Sequence, residues 1–286
     1  MKTRRIITVT LLLFAMAAFV ITGCQKTETP GQGEERAKME QAAMDENEIS
    51  TIDQDLMNDV DQILSKGKKK YFPCNTTIDS MTIIGDTTIF HITFSGNNCF
   101  NTHSRYGHMT IRLESSTNWL DPGATVKVHY DNIKITRLSD GEWVIFDGDR
   151  AAQNVTGGAI IDLGTSTTAI IHKTHGHVDV TFSDSTVFQW HVARKETFTG
   201  QPTDLTISTE GFGTANGYTD LVWWGINRQN DPFYTQILQP VIVKESCGWH
   251  AVSGVKKMNF PADNKHIQLT FGFDSLNQPI TPGTCP

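Results

Sequence analysis

The sequence lacks the short motifs that mark common catalytic and nucleotide-binding sites. It has no Gly-x-Ser-x-Gly nucleophile elbow, no His-Glu-x-x-His zinc motif and no P-loop. No two of its five cysteines are spaced as Cys-x-x-Cys, which argues against a structural zinc site. These absences predict that the protein is not an enzyme.

Positive charge is also scarce. The chain has 24 lysines and arginines against 31 aspartates and glutamates, a net charge of −7, and its longest basic run is Lys68-Lys69-Lys70. Because nucleic-acid-binding proteins carry a basic patch or stripe, nucleic acid is not an expected partner. The apolar fraction is 38%, and long apolar runs are missing outside the first 21 residues.

The N-terminus has the pattern of an export signal. Met1–Arg5 carries three positive charges, and Ile6–Ile21 is apolar apart from two threonines, which is shorter than the roughly 20 residues of a membrane-spanning helix. The run ends in Ile-Thr-Gly-Cys, which resembles the lipobox of bacterial lipoproteins. The resemblance implies that residues 1–23 are removed and that Cys24 carries lipid, so that the expected partner is a membrane. An ordinary signal peptide with a chance cysteine is the alternative.

Two segments are expected to connect the lipid to the rest of the protein. Residues 24–44 are polar and are predicted to be a disordered tether. Residues 45–67 are predicted to be an amphipathic helix, which either packs its apolar stripe on the domain or binds a partner. The apolar stripe consists of Ile49, Ile52, Leu56, Val60, Ile63 and Leu64, and the acidic face of Asp53, Asp55, Asp59 and Asp61.

Residues 71–286 are predicted to form an antiparallel β domain. Apolar and polar residues alternate in many short segments, as in Ile89 to Ser95, which is typical of strands with one solvated face. Gly85-Asp86 suits a type II′ hairpin loop and Asp140-Gly141 a type I′ loop. The expected fold is all-β, an antiparallel meandering sheet or a β-sandwich, preceded by one N-terminal helix.

The cysteines predict disulfides. When Cys24 is put aside, an even number remains in an exported chain, which indicates an oxidising compartment. Four cysteines allow three pairings. We favour Cys74–Cys99 and Cys247–Cys285, because each pair brackets one hairpin-like stretch.

The layout as a whole resembles the uncharacterised lipoproteins that Bacteroidetes genomes encode. The features that carry this resemblance are the lipobox, the acidic helix, Pro73-Cys74, the hairpin ending at Cys99 and the late Cys285. Gln25 to Glu28 faintly resembles the export signal that places some of these proteins on the cell surface. The resemblance implies a protein of the cell envelope, lipid-anchored to the outer membrane and facing either the surface or the periplasm.

One candidate metal site is visible in the segment from His172 to His177. On a strand, His175, His177 and Asp179 share one face, opposite the apolar residues between them, and His172 falls on the other face. Two imidazoles and a carboxylate can ligate Zn²⁺, so zinc is a possible cofactor. The alternative is a solvated polar face.

A second candidate site is the pair Trp223-Trp224. Adjacent residues of a strand point to opposite faces, so that one indole is exposed or is covered by another element. An exposed indole can stack on a sugar ring, and the alternative is packing in the core or at an edge.

The sequence therefore predicts a structural or binding module of the cell envelope with no enzymatic activity, whose partner is a glycan or an envelope protein. A glycan-binding accessory lipoprotein is one alternative, and a metal-dependent hydrolase that uses the His172–His177 cluster is another. The oligomeric state does not follow from the sequence.

Overall fold

The computed structural model describes residues 32–65, 73–165, 167–273 and 285. The predicted leader, the lipidation site Cys24 and the predicted last helical turn at residues 66 and 67 lie outside them. The elements are α1 (Gln32–Leu64), β1 (Thr76–Ile84), β2 (Thr87–Asn97), β3 (His103–Glu114), β4 (Ala124–Arg137), β5 (Trp143–Asn154), β6 (Ile170–Phe182), β7 (Val187–Gln201), β8 (Asp204–Gly211), β9 (Gly213–Ala215), β10 (Tyr218–Ile226), β11 (Pro232–Lys244), β12 (His250–Phe260) and β13 (Lys265–Phe271). The prediction of an all-β fold with one preceding helix is confirmed for the described residues.

The strands form an antiparallel meander rather than a sandwich. Each strand from β1 to β7 pairs with the next, and the order then continues through β10, β11, β12 and β13. The first half of β7 pairs with β10 and its second half with β8, which also pairs with β11. The described strands therefore make one 13-stranded sheet.

The inner face of this sheet packs around α1. Phe90, Ile92 and Phe94 of β2 are buried, while His91 between them is exposed, as the alternation predicts. The apolar stripe of α1 belongs to the same hydrophobic core as inner residues of β2 to β7 and of β10 to β12. Polar side chains of α1 contact strands β3, β5, β11, β12 and β13. Because one helix reaches strands so far apart in the order, the sheet must curl around it.

The helix begins earlier than predicted. Residues 32–44 are helical, so the prediction that residues 24–44 form a disordered tether is wrong for this part. Arg36 donates a hydrogen bond to Glu40 at 2.8 Å, an i,i+4 pair that stabilises a helix. Ala42 is buried and Met39 packs against the core, so tertiary contacts hold a segment that looked too polar to fold.

One predicted hairpin turn is confirmed and the other is wrong. Gly85-Asp86 is a two-residue loop in which Gly85 has a φ of 61° and Asp86 does not have a positive φ, as a type II′ turn requires. Asp140 and Gly141 lie instead in a five-residue connection between β4 and β5. The Asp140 carboxylate accepts a hydrogen bond from Arg137 at 3.0 Å, and only the glycine of this pair has a positive φ, whereas type I′ needs two.

Both predicted disulfides are present. Cys74 is bonded to Cys99 and Cys247 to Cys285. Because disulfides persist in oxidising compartments, they indicate a location outside the cytoplasm. None of the described helical residues forms a segment long and apolar enough to cross a membrane.

Candidate functional site

Strand β6 presents the predicted metal ligands on the outer face of the sheet. His175, His177 and Asp179 alternate with buried residues such as Val178, as predicted. His172 lies on the inner face and is buried. The sequence therefore placed all four polar side chains on the correct face of the strand.

The surroundings of His177 come mostly from other strands. Its Nε2 lies 3.3 Å from Oδ1 of Asp179 on the same strand. His191 of β7 is directly opposite, with ring centroids 4.4 Å apart. On the other side of β6, Asp149 of β5 is the register partner of His177, and its Oδ1 lies 3.1 Å from Nδ1 of His129. His177 therefore sits between a second imidazole and two carboxylates.

These residues belong to a longer line of outward side chains, which we call the outer row. Its members are register partners on successive strands from β2 to β7 and then on β10. They are His91, Thr110, His129, Asp149, His177, His191 and Trp224. Four imidazoles and one carboxylate in this row give the outer face a polar band rich in metal-ligating and titratable groups.

His175 does not join His177 in a shared site. Its register partners are Ala151 on β5 and Ala193 on β7, so neither neighbouring strand brings a ligating side chain beside it. Among the residues that the structure describes, no group of three or more His, Cys, Asp and Glu side chains is placed to hold a metal ion. Zinc binding by His175, His177 and Asp179 stays a prediction.

His191 is held in place by an aromatic neighbour. Its ring stacks on Trp224, with centroids 5.3 Å apart and planes only 6° from parallel. Burial lowers the pKa of His191, and the charges of the nearby His177 and Arg150 act in the same direction. His191 is therefore a neutral imidazole, able to donate a lone pair, down to a lower pH than an ordinary histidine.

The two tryptophans point to opposite faces, as predicted. Trp223 is 8% exposed and stacks on Trp190 in the core, with Lys256 Nζ 5.3 Å from its ring centre. Trp224 is half-buried on the outer face, between His191 and the backbone of Gly213. Trp223 is thus a core residue and cannot stack on a sugar, while part of Trp224 remains accessible.

The inner face holds a second polar cluster, centred on Asp53 of α1. Arg150 Nε lies 3.1 Å from one carboxylate oxygen and Arg194 Nη2 lies 3.2 Å from the other. The Tyr130 hydroxyl donates to the same carboxylate at 3.2 Å, and Glu196 lies 3.3 Å from Arg194. Burial raises the pKa of Tyr130 well above its usual value, and the Asp53 charge adds to the rise. The cluster therefore pairs two carboxylates with two guanidiniums inside the protein.

Other acidic residues of α1 are also paired with the sheet. The contacts are Glu46 with Lys256 at 3.0 Å and with Thr235, Asp59 with Arg105, Asp61 with Trp119 Nε1 at 2.9 Å, and Asp45 with Arg228 at 3.3 Å. Much of the predicted acidic face thus lies inside the curled sheet. Packing of α1 on the domain is confirmed, and these acids are already engaged rather than open to a partner.

A narrow pocket lies between the second half of α1 and strands β5 to β7. Its polar walls include Asp61, His172 and Glu196. Burial raises the pKa of Glu196, and the Arg194 guanidinium opposes this rise. Glu196 and His172 are register partners on neighbouring strands at this wall. The pocket has room for solvent rather than for a substrate the size of a sugar.

The sequence reasoning missed the basic residues that pair with the buried acids of α1. Arg150, Arg194 and Lys256 occupy inward positions in strands whose other inward residues are largely apolar. That break in the alternation is the signal that was available, because a charge on an inward position needs a buried partner.

Two clusters therefore make up the candidate site. The outer row meets solvent, whereas Asp53, Arg150 and Arg194 of the inner cluster are buried. The chain matches no protein-family model, no curated protein and no solved structure.

Proposed function

We propose that the protein is a lipid-anchored module of the cell envelope that has a structural or binding role rather than a catalytic one. The leader and the Ile-Thr-Gly-Cys sequence support anchoring through Cys24. The two disulfides support a location outside the cytoplasm. Anchoring to the outer membrane, as the Bacteroidetes-type layout implies, belongs to the same proposal.

The observation that carries the binding role is the way α1 fills the inner side of the sheet. The helix takes up the concave space that a substrate cleft would need, and its buried acids are paired with strand residues. The accessible chemistry lies on the broad outer face instead. A broad face without a deep cleft suits contact with a macromolecule better than turnover of a small one.

Anchoring is tested with Cys24→Ser in cells that are fed an alkyne-bearing fatty acid. We expect the wild type to be labelled and to sediment with membranes, because two or more acyl chains bind a bilayer stably. The variant is expected to be unlabelled. If the variant is labelled and sediments as the wild type does, the proposed anchor is wrong.

The binding role is tested by placing a photo-crosslinking amino acid at Thr125 or Lys127, which are exposed on the outer face of β4. Irradiation of intact cells is expected to give a discrete adduct from these positions. Thr51, exposed on α1, is the control position. The absence of adducts from both outer-face positions would argue against the proposed role.

A glycan is one class of partner that the outer face can take. Trp224 is the aromatic residue that supports it, since Trp223 lies in the core. A glycan array probed with wild type and Trp224→Ala tests this directly. Signals that are absent, or equal for both proteins, remove the glycan alternative.

A further inference from the structure

We propose that His177 and His191 form a two-histidine clamp for a divalent transition-metal ion that favours imidazole ligands. The clamp lies on the outer face of the sheet, at the junction of β6 and β7. It differs from the set suggested by the sequence, because its second ligand comes from the neighbouring strand. It also goes beyond the structural or binding role and does not depend on the lipid anchor.

The first argument is distance. Residues directly opposite each other in an antiparallel pair have Cβ atoms about 4.5–5.5 Å apart. Residues two apart on one strand, such as His175 and His177, are separated by about 6.6 Å. The facing pair His177 and His191 is therefore closer than any two histidines of β6, as the 4.4 Å centroid separation shows.

The second argument is the reach of the rings. Metal–nitrogen bonds of about 2.0–2.1 Å place two neighbouring imidazole nitrogens about 3 Å apart. The rings of His177 and His191 already lie at an angle of 34° with centroids 4.4 Å apart, so side-chain rotation alone can bring one nitrogen of each to a shared ion. The His177 side chain is 43% exposed and has room to turn.

The third argument is the charge around the pair. Asp179 lies 3.3 Å from Nε2 of His177, where it can accept a hydrogen bond from the Nε2–H group and leave Nδ1 for the metal. Asp149 and Asp147, opposite His177 and Asp179 on β5, add two further carboxylates on the outer face. Their negative charge attracts a cation to the imidazoles, and water completes its coordination shell.

The stacked arrangement of His191 also prepares it to bind a metal. Contact with Trp224 restricts the ring to a nearly parallel plane, so less side-chain entropy is lost when the ion binds. His175 has alanines as its register partners on both neighbouring strands, and these offer no ring on which it could stack.

Cu²⁺ is the probe that this geometry favours. Imidazole suits copper, nickel and zinc, and affinity for nitrogen ligands is greatest for Cu²⁺ among the divalent first-row metals. The full-length protein, purified with a tag that contains no histidine, is titrated with Cu²⁺ by calorimetry. We expect one saturable site, with an electron paramagnetic resonance signal that reports two nitrogen ligands.

The variants separate this clamp from the site predicted on β6 alone. His177→Ala and His191→Ala are each expected to abolish saturable binding, and His175→Ala to leave it unchanged. Asp179→Asn is expected to weaken binding about tenfold or more, as loss of a partner that orients a metal ligand does. His191→Phe keeps a ring on Trp224 but removes both nitrogens, so it tests ligation without removing the stacked contact.

Each outcome decides the proposal. No saturable binding by the wild type overturns it. Wild-type affinity in His191→Ala or His191→Phe also overturns it, and a loss in His175→Ala without a loss in His191→Ala would assign the metal to β6 alone. Circular dichroism of every variant confirms that a loss of binding is not a loss of fold.

Discussion

Removing the charge of Asp53 is expected to destabilise the protein more than removing any exposed carboxylate. Asp53 and Arg150 have side chains with no solvent exposure, and Arg194 has only 2%. In Asp53→Asn, Arg194 keeps Glu196 at 3.3 Å. Arg150 loses the carboxylate with which it is paired, and its guanidinium stays buried beside Trp190.

The size of the effect follows from the cost of a buried charge that has lost its partner. Breaking a buried ion pair from one side costs about 3–5 kcal/mol. Total unfolding free energies are about 5–15 kcal/mol, so that this substitution removes a large part of the stability. With a urea m-value of about 3 kcal/mol/M, the midpoint should fall by about 1–1.7 M.

Urea unfolding followed by tryptophan fluorescence is a suitable assay, because Trp190 and Trp223 are buried in the same core. Asp131→Asn is the matched control, since Asp131 is exposed on the outer side of β4. Its unfolding free energy should stay within about 0.5 kcal/mol of wild type.

A double replacement sharpens the test. In Asp53→Leu/Arg150→Met, neither member of the pair is left charged and buried, and the pair Arg194–Glu196 is kept. This variant should recover much of the loss, because apolar replacement of a whole buried pair is often neutral or stabilising. The reasoning is refuted if Asp53→Asn lies within about 1 kcal/mol of wild type, or if the double variant is less stable than the single one.

Three further predictions concern other parts of the fold. The Thr186 hydroxyl donates a hydrogen bond to Asp184 at 2.6 Å, which is the largest of the effects that lower the pKa of Asp184 to about 2. Thr186→Val should therefore raise the pKa of Asp184, as measured by a carbon-13 NMR titration. The stability that this acid contributes is present above pH 3.8 and is lost as the pH falls through about 2. Replacing Cys74 and Cys99 together by serine should cost about 3.5 kcal/mol by the chain-entropy model, measured by urea unfolding, and an unchanged midpoint would contradict it. Gly176 has a φ of 152°, and the new Cβ of Gly176→Ala would lie 2.2 Å from a carbonyl oxygen of β5. The soluble yield and the melting temperature of this variant should therefore fall sharply. A wild-type melting temperature would show that β5 and β6 can move apart at little cost.

Much of the sheet was predictable because the sequence of each strand shows which of its residues are buried. Inward residues such as Ile111 and Val180 alternate with polar ones, and this pattern depends only on the two-residue period of the strand. The shared face of His175 and His177, and the placement of Trp223 and Trp224 on opposite faces, were predictable for the same reason. The loop at Asp140-Gly141 was not, since it is a five-residue connection in which the Arg137 side chain donates a hydrogen bond to Asp140.

The start of α1 was missed because its stability is partly tertiary. The residues before Asp45 contain few apolar side chains, and the segment reads as polar. Small and flexible residues such as Ala42 and Met39 are nevertheless enough to dock it, since the curled sheet supplies the opposing surface. The composition of the segment gives no information about that surface, which is formed by other parts of the chain.

The sequence by itself determined the all-β class, the preceding helix, the strand faces and the even set of cysteines that forms the two disulfides. These properties depend on residues that are close together in the chain or on simple counts. Only the tertiary structure decided that the acids of α1 are buried against Arg150 and Arg194, and that His177 faces His191. Partners of this kind come from different elements, and their distance is set by strand register and sheet curvature, which no single segment encodes.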